Sequence, residues 1–285
     1  MKITLLGTGL MGAPMAMRLQ SQGHTLTVWN RSPDKLKPLH EAGLKSAATP
    51  AEAIEQAEVV ILMLSDYAAI EAVLAQIPDT AWAGRCLLQM STIAPDQSRQ
   101  LAGRLRHAGA DYIECPVLGS TPQASAGSLI LIAAGSETAI ACCQPILDAL
   151  GEKQHLLGPD PGQAAAAKLA LNQLIPSLIA MFGLSLHYIQ RQEIHPEDWM
   201  KILRDSSLYA PSYDKKLERL LSADFSQPNF PVRHMLKDIG LFLSTAEPLG
   251  LDTRMLEALQ ALLHKCADAG QADADYSIVG QAVAV

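Results

Sequence analysis

The 285-residue chain has no CxxC pair, no two histidines at HxxxH spacing and no excess of positive charge. Each absence removes a class of function. The five cysteines, at positions 86, 115, 142, 143 and 266, are odd in number and follow no framework spacing. A disulfide-stapled scaffold is therefore not expected, whereas a reducing compartment is, with the cytoplasm as the default location. His24, His40, His107 and His155 read as surface or turn residues, and no metal site is expected. A formal charge of −7 argues against a nucleic-acid or anionic-membrane partner. Charged residues make up only 18% of the chain and apolar residues 49%, which describes a compact globular protein with length enough for two domains.

What is present begins at the N-terminus. Met1 to Ala16, MKITLLGTGLMGAPMA, has a lysine followed by an apolar run and superficially resembles a secretion signal, but three glycines within it have a better use. Lys2–Leu6 is β-rich, and Gly7-Thr8-Gly9-Leu10-Met11-Gly12 follows at once, leading into a helical stretch to about Gln22. This is the dinucleotide fingerprint in its proper strand–turn–helix setting. The first glycine permits the turn, the second lets backbone approach a pyrophosphate, and the third lets helix and strand pack closely. Thr25–Trp29 supplies the second strand. At its end NAD sites usually carry an acid for the ribose hydroxyls, whereas this chain has Asn30-Arg31-Ser32. A guanidinium and a hydroxyl suit a 2′-phosphate, so NADP(H) is the expected cofactor.

The alternation continues with a short helix or turn over Asp34–Ala42 and a capping box at Thr49–Glu52. A buried strand follows at Glu58–Leu64, a helix at Tyr67–Gln76, a strand at Cys86–Gln89 and a helix at Pro95–His107. Strands at Tyr112–Glu114 and Leu129–Ala133 complete the pattern. It predicts an α/β fold whose first part is a doubly wound parallel sheet of the Rossmann kind, with ligands at the carboxyl ends of its strands. After Leu157 no strand is expected. Gly162–Gln190 reads as one long helix, apolar on nearly every face, and helices are expected over 196–204, 212–221, 232–247 and 253–269. The division is thus a nucleotide-binding domain over 1–161 and an all-α domain over 162–285, with the long helix at the junction. That helix has 18 uncharged residues from Leu169 to Leu186, the length of a membrane span. Asn172, Gln173, Pro176 and two serines, with no flanking basic cluster, oppose that reading. A helix so apolar predicts burial between domains or between subunits, hence a homodimer or homotetramer. Lys168 and Asn172 share one face of it, four residues apart, and a cation in such surroundings needs a chemical reason. Pro176 should kink the helix or release a carbonyl near Asn172.

With these pieces placed, the chain resembles the β-hydroxyacid dehydrogenase family, which includes 3-hydroxyisobutyrate dehydrogenase. The resemblance rests on GTGLMGAPMA at 7–16, MLSD at 63–66, MST at 90–92, ECPVLGS at 114–120, the Lys168/Asn172 pair and Lys237-Asp238. The segments at 28–32, 114–135 and 230–238 are similar to the glyoxylate/succinic semialdehyde reductase branch. The resemblance implies that Lys168 is the catalytic lysine, with Asn172 orienting substrate beside it. It further implies that Leu118, Gly119 and Ser120 receive the substrate's polar end, with Thr92, Phe230 and Asp238 bordering the pocket. Cofactor contacts are implied for the 7–12 turn, for Asn30, Arg31 and Ser32, for Met63, Leu64 and Ser65, and for Thr92 and Lys237. The implied reaction is NADPH-dependent reduction of a small aldehyde or keto acid, with Lys168 giving the proton.

Two other readings compete. Within enzymes, a 3-hydroxyisobutyrate-type dehydrogenase or an imine reductase would use the same scaffold. Asn30-Arg31-Ser32 opposes an NAD-linked oxidation, and Lys168 opposes imine reduction. Outside enzymes, the chain would be a catalytically decayed cofactor-binding interaction protein, a reading opposed by the intact Lys168/Asn172 pair. Three departures from the family pattern bear on substrate: Leu118 where serine is usual, Ala164 where glycine is usual, and Pro176. Restoring Leu118→Ser is expected to improve turnover of glyoxylate or succinic semialdehyde. Cys115, beside the substrate loop, reads as a small buried residue and not as a nucleophile.

Overall fold

The computed structural model describes residues 1–284. The chain forms two compact units, Met1–Lys168 and Leu169–Val285. In the first, β1 (Lys2–Leu6), α1 (Gly12–Ser21), β2 (Thr25–Trp29), α2 (Lys37–Glu41) and β3 (Lys45–Ser46) are followed by α3 (Pro50–Ile54), β4 (Val59–Leu62) and α4 (Tyr67–Leu74). Then come β5 (Cys86–Gln89), α5 (Pro95–His107), β6 (Asp111–Glu114), β7 (Val117–Leu118), α6 (Thr121–Ala126), β8 (Leu129–Gly135), α7 (Glu137–Leu150) and β9 (Gly151–Leu156). Strands β3-β2-β1-β4-β5-β6 lie side by side and parallel, in that order.

The expected doubly wound sheet is present, with one correction. Beyond β6 the sheet is mixed: β8 runs antiparallel to both β6 and β7, and β9 pairs parallel with β8. The central strands are mostly apolar at consecutive positions, Val59–Leu62 throughout, because the sheet is covered on both faces. Leu5, Ile61, Leu88 and Ile113 pack with Met15 and Leu19 of α1 and Ile146 and Leu147 of α7. Their neighbours Leu6, Val60, Leu62, Leu87 and Tyr112 point the other way, onto Ile54, Ile70, Leu74, Leu101 and Leu105. The capping box forms as read, with the Thr49 hydroxyl accepting from the Glu52 amide at 3.2 Å and the Glu52 carboxylate accepting from the Thr49 amide at 3.3 Å.

The long helix α8 (Gln163–Arg191) is 29 residues, roughly 43 Å at the usual helical rise, and runs unbroken through Pro176. Domain division was expected just before this helix. The compact units instead divide within it, after Lys168, so its first residues are counted with the sheet. In the second unit α8 is the core element. Ile179, Ala180, Phe182 and Leu186 are buried with Met200 of α9 (Pro196–Asp205) and Leu220 of α10 (Pro211–Ser222). Met235 and Ile239 of α11 (Val232–Ala246) and Leu259 and Leu263 of α12 (Arg254–Cys266) complete that core. The Phe182 ring stacks on Tyr213 and Trp199, with centroids 4.6 and 5.7 Å away. Gly183 lets the short helix α13 (Val279–Ala282) approach so closely that a Cβ there would lie 2.3 Å from the Gly280 carbonyl oxygen. A buried ion pair, Lys216 Nζ to Asp275 Oδ1 at 2.7 Å, ties α10 to the segment leading into α13.

Candidate active site

The glycine turn between β1 and α1 is shaped by what it cannot hold. Gly7 sits at φ +105°, and a Cβ there would lie 2.3 Å from the Met63 carbonyl oxygen. A Cβ on Gly12 would lie 1.9 Å from the Gly7 carbonyl oxygen, so α1 packs on the turn at a distance only glycine allows. Gly9 is the opposite case: nothing stands within 4 Å of its missing Cβ. The turn is thus closed toward the protein and open on one side, the shape a pyrophosphate needs against the N-terminus of α1. The buried Thr8 hydroxyl has no hydrogen-bond partner among the described residues, and a ligand oxygen in the turn would satisfy it. The residues present therefore fit a dinucleotide.

Asn30 is joined to that turn: its Oδ1 accepts from the Thr8 amide at 3.2 Å, and its Nδ2 donates to the Ser32 carbonyl at 3.0 Å. The loop after β2 is thereby tied to the glycine turn. Arg31 and Ser32 are exposed beyond it. The loops after β4 and β5 are also stitched together. The Leu64 amide donates to Ser91 Oγ at 2.8 Å, and Gln89 Nε2 donates to the Ser91 carbonyl at 2.9 Å. Met63, Leu64, Ser65 and Thr92 are thus held on two adjacent carboxyl-end loops by Ser91 and Gln89, two polar residues whose role the sequence reading missed. Their signal was a glutamine ending an otherwise apolar strand.

The 114–120 segment departs from expectation in detail. Leu118 ends β7 and packs with Ile132 and Ala134 of β8 and with Ala164 and Ala167 of α8. Two of the departures noted in the sequence, Leu118 and Ala164, therefore belong to one apolar cluster. Gly119 has φ +131°, and the Ser120 amide and hydroxyl both donate to Gln123 Oε1. Cys115 is fully buried, and burial pushes its thiol up to about 12, which rules it out as a nucleophile near neutral pH.

Glu114, which closes β6, has no exposed surface at all. Burial pushes its carboxyl above the usual carboxylate range, while hydrogen bonds from Ser98 and from the Ala164, Gly162 and Ala165 amides oppose that shift. Lys168 follows on α8 and is only 8% exposed. Asn172 stands one helical turn later. Within the second unit its Nδ2 donates to Asp238 Oδ2 at 2.6 Å, which fixes the amide orientation. Its Oδ1 is buried and accepts no hydrogen bond from the described residues, so an acceptor is held ready at that point. Asp238 also meets Lys237 Nζ at 2.9 Å. Phe230 precedes α11 by two residues and lies against the ring of Tyr276, centroids 6.1 Å apart.

Comparison with known proteins agrees over nearly the whole chain. Residues 2–158 match the NAD-binding domain of 6-phosphogluconate dehydrogenase, and residues 162–283 match the NAD-binding domain of NADP-dependent 3-hydroxyisobutyrate dehydrogenase. Glyoxylate/succinic semialdehyde reductase 2 of Arabidopsis thaliana (chloroplastic) is 30% identical over 99% of this chain and 79% of its own. Glyoxylate/succinic semialdehyde reductase 1 of the same plant is 29% identical, covering 99% of this chain and 98% of its own. A 3-hydroxyisobutyrate dehydrogenase of Mycobacterium tuberculosis, solved with L-serine, shares the fold with a TM-score of 0.90 at 21% identity, covering 100% of this chain and 99% of that one.

Proposed function

The chain belongs to the β-hydroxyacid dehydrogenase family of NAD(P)-dependent oxidoreductases, and on that premise we propose that it reduces a small aldehyde or keto acid with NADPH. The substrate is of the glyoxylate or succinic semialdehyde kind, as the names of the two plant relatives suggest. The observation that carries the reading is the Lys168 ammonium, buried on α8 one turn from an amide that Asp238 holds in a single orientation.

The chemistry follows from the residues. The Gly7–Gly12 turn and the α1 N-terminus would hold the pyrophosphate, with Asn30, Arg31 and Ser32 at the ribose end. The bound nicotinamide supplies hydride to the carbonyl carbon. Oxygen then develops negative charge, and Lys168 stabilises it and gives the proton, a contribution typically worth ~10²–10⁴-fold. Asn172 Oδ1 would accept a hydrogen bond from the substrate or the new hydroxyl, and the family resemblance assigns Lys237 to the cofactor. Preference for NADPH is supported by Arg31 and Ser32, exposed where a 2′-phosphate could meet them. Assembly as a homodimer or homotetramer is supported by Leu174, Met181, Leu184 and Tyr188, all exposed along one stripe of α8.

NADPH oxidation over a panel of short aldehyde and keto acids tests the reading. Turnover with at least one of them is expected, and Lys168→Ala should keep NADPH binding while losing about 10²-fold or more in kcat. Turnover of the variant within a few-fold of the parent chain would refute the proton-donor assignment.

A further inference from the structure

The first turn of α8 is capped from far away. A helix leaves its first N–H groups without partners, and a serine, threonine or aspartate beside them ordinarily satisfies these. Here the acceptor comes from the carboxyl end of β6. Glu114 Oε1 accepts from the Gly162 amide at 2.8 Å, the Ala164 amide at 2.7 Å and the Ala165 amide at 3.4 Å. Glu114 Oε2 accepts from the Ser98 hydroxyl, whose oxygen stands 2.7 Å from that of Tyr112. Both carboxylate oxygens are satisfied, and the whole group is out of solvent.

A buried carboxylate is an expensive way to cap a helix that a surface hydroxyl could cap. What the arrangement achieves is a connection: strand end and helix start become one hydrogen-bonded unit. The surroundings leave it no slack. Gly162 has φ +99°, and a Cβ on it would lie 2.5 Å from Arg99 Nη1 and 3.0 Å from the Pro95 carbonyl oxygen. On its other side the turn is held by Leu118, Ile132 and Ala134 against Ala164 and Ala167. Lys168 comes three residues after the last amide bonded by Glu114, about 4.5 Å further along the axis. Any slip or rotation of this turn is therefore passed to the lysine undiminished.

We propose that Glu114 is a positioning residue: its carboxylate fixes the first turn of α8 on the end of β6 and thereby sets where the Lys168 ammonium stands. The proposal rests on Lys168 being the proton donor, and its test is chosen to separate the two. Glu114→Gln preserves the geometry, since the amide oxygen can accept from the three N–H groups. Its amino group then faces the Ser98 hydroxyl, which turns from donor to acceptor and gives its proton to Tyr112. Glu114→Ala strands the three amides. Glu114→Asp withdraws the carboxylate by one methylene.

Expected outcomes are a kcat within about threefold of the parent for Glu114→Gln and a fall of roughly 10–100-fold for Glu114→Ala. NADPH affinity and substrate KM should stay within about threefold in both. A second readout needs no substrate: brief acylation with acetic anhydride, followed by peptide mass spectrometry, gives the reactivity of Lys168 relative to exposed Lys45. Glu114→Ala should shift that ratio at least threefold and Glu114→Gln should not. If Glu114→Ala does not fold, Glu114→Asp carries the test, with at least a fivefold loss of kcat and NADPH affinity intact. Unchanged kcat and unchanged Lys168 reactivity in Glu114→Ala or Glu114→Asp would overturn the proposal. So would a parallel loss of kcat, NADPH affinity and thermal stability in the alanine and glutamine variants alike, which marks a purely structural group. A parent chain that reduces no aldehyde acid removes the catalytic reading alone, because the acylation ratio still reports on Lys168.

Discussion

Gly9 and Gly12 stand three residues apart in one turn, yet replacing each with alanine should have different consequences. At Gly12 the new methyl would stand 1.9 Å from the Gly7 carbonyl oxygen, 3.0 Å from its carbon and 3.3 Å from a Leu5 methyl. Gly7 cannot retreat, because the Met63 carbonyl already lies 2.3 Å from where its own Cβ would be. Helix α1 must therefore move outward by roughly 1.5 Å to restore van der Waals contact. Overpacking of this kind costs about 1–3 kcal/mol of stability. The same shift stretches a hydrogen bond of ordinary length beyond 3.5 Å, so donors at the α1 N-terminus lose a bound phosphate. Losing two charge-assisted bonds at about 1.5–3 kcal/mol each weakens NADPH binding by some 10²–10⁴-fold. At Gly9 the methyl meets nothing within 4 Å, and φ is not positive, so the free protein should melt as the parent does. Its NADPH affinity should nevertheless fall at least tenfold, because the methyl occupies the open side of the turn. Fluorescence titration with NADPH and thermal denaturation without it read both quantities. A Gly9→Ala protein that binds NADPH normally would show that the open side is not where phosphate lies. A Gly12→Ala protein with unchanged melting would show that α1 yields more easily than the packing implies.

Three further outcomes are expected. Lys216→Met leaves Asp275 buried without its cation, and should cost about 3–5 kcal/mol at neutral pH by denaturant titration. Burial alone would raise the Asp275 carboxyl, but Lys216 and Ser277 together hold it below the usual carboxylate range. The stability it contributes is thus present above that range and lost as pH falls through the lowered value. The Lys216→Met deficit should accordingly be largest near neutrality and shrink once Asp275 is protonated; a deficit independent of pH would contradict the pairing argument. Arg31→Ala should reduce kcat/KM for NADPH at least tenfold while changing that for NADH by less than threefold, measured side by side. Leu118→Ser removes an apolar side chain from the cluster of Ile132, Ala134 and Ala164, so a loss of about 1–2 kcal/mol is expected together with higher turnover of glyoxylate or succinic semialdehyde. Stability lost without any gain in turnover would mean that the side chain serves packing only.

Much of the first unit was readable because its strands are buried on both faces. Val59–Leu62 and Cys86–Gln89 have no polar alternation to confuse, and the glycine turn announces itself through Gly7 and Gly12, positions that only glycine can fill. What escaped has physical causes. β9, GEKQHL, is largely exposed and lacks apolar periodicity, so nothing local marks it as a strand. α7 carries Pro145 in its interior, which argues against a helix until tertiary packing of Cys143, Ile146 and Leu147 overrides the penalty. The two-residue strands β3 and β7 are shorter than any pattern can resolve, and the antiparallel direction of β8 depends on pairing partners and not on composition.

The site divides along the same line. Residues whose role is stated by their own covalent chemistry, such as the glycines of the turn or a lysine in an apolar helix, could be named from spacing alone. The hydrogen bonds that hold such groups in place could not be read, because the partner is distant in the chain. Asn172 meets Asp238 across 66 positions, and Glu114 meets Gly162 across 48. Yet each left a mark: an amide in the apolar run of α8, and an acid at the end of a strand with no cation nearby. A buried polar side chain costs free energy unless something satisfies it, so each such residue implies a partner before the partner is known. Applied to Glu114, that rule demands several donors at the carboxyl end of β6, and the only local structure that offers three unpaired N–H groups together is the start of a helix. The helix that answers is the one carrying Lys168, which is why a position with no chemistry of its own is expected to govern the rate of the reaction.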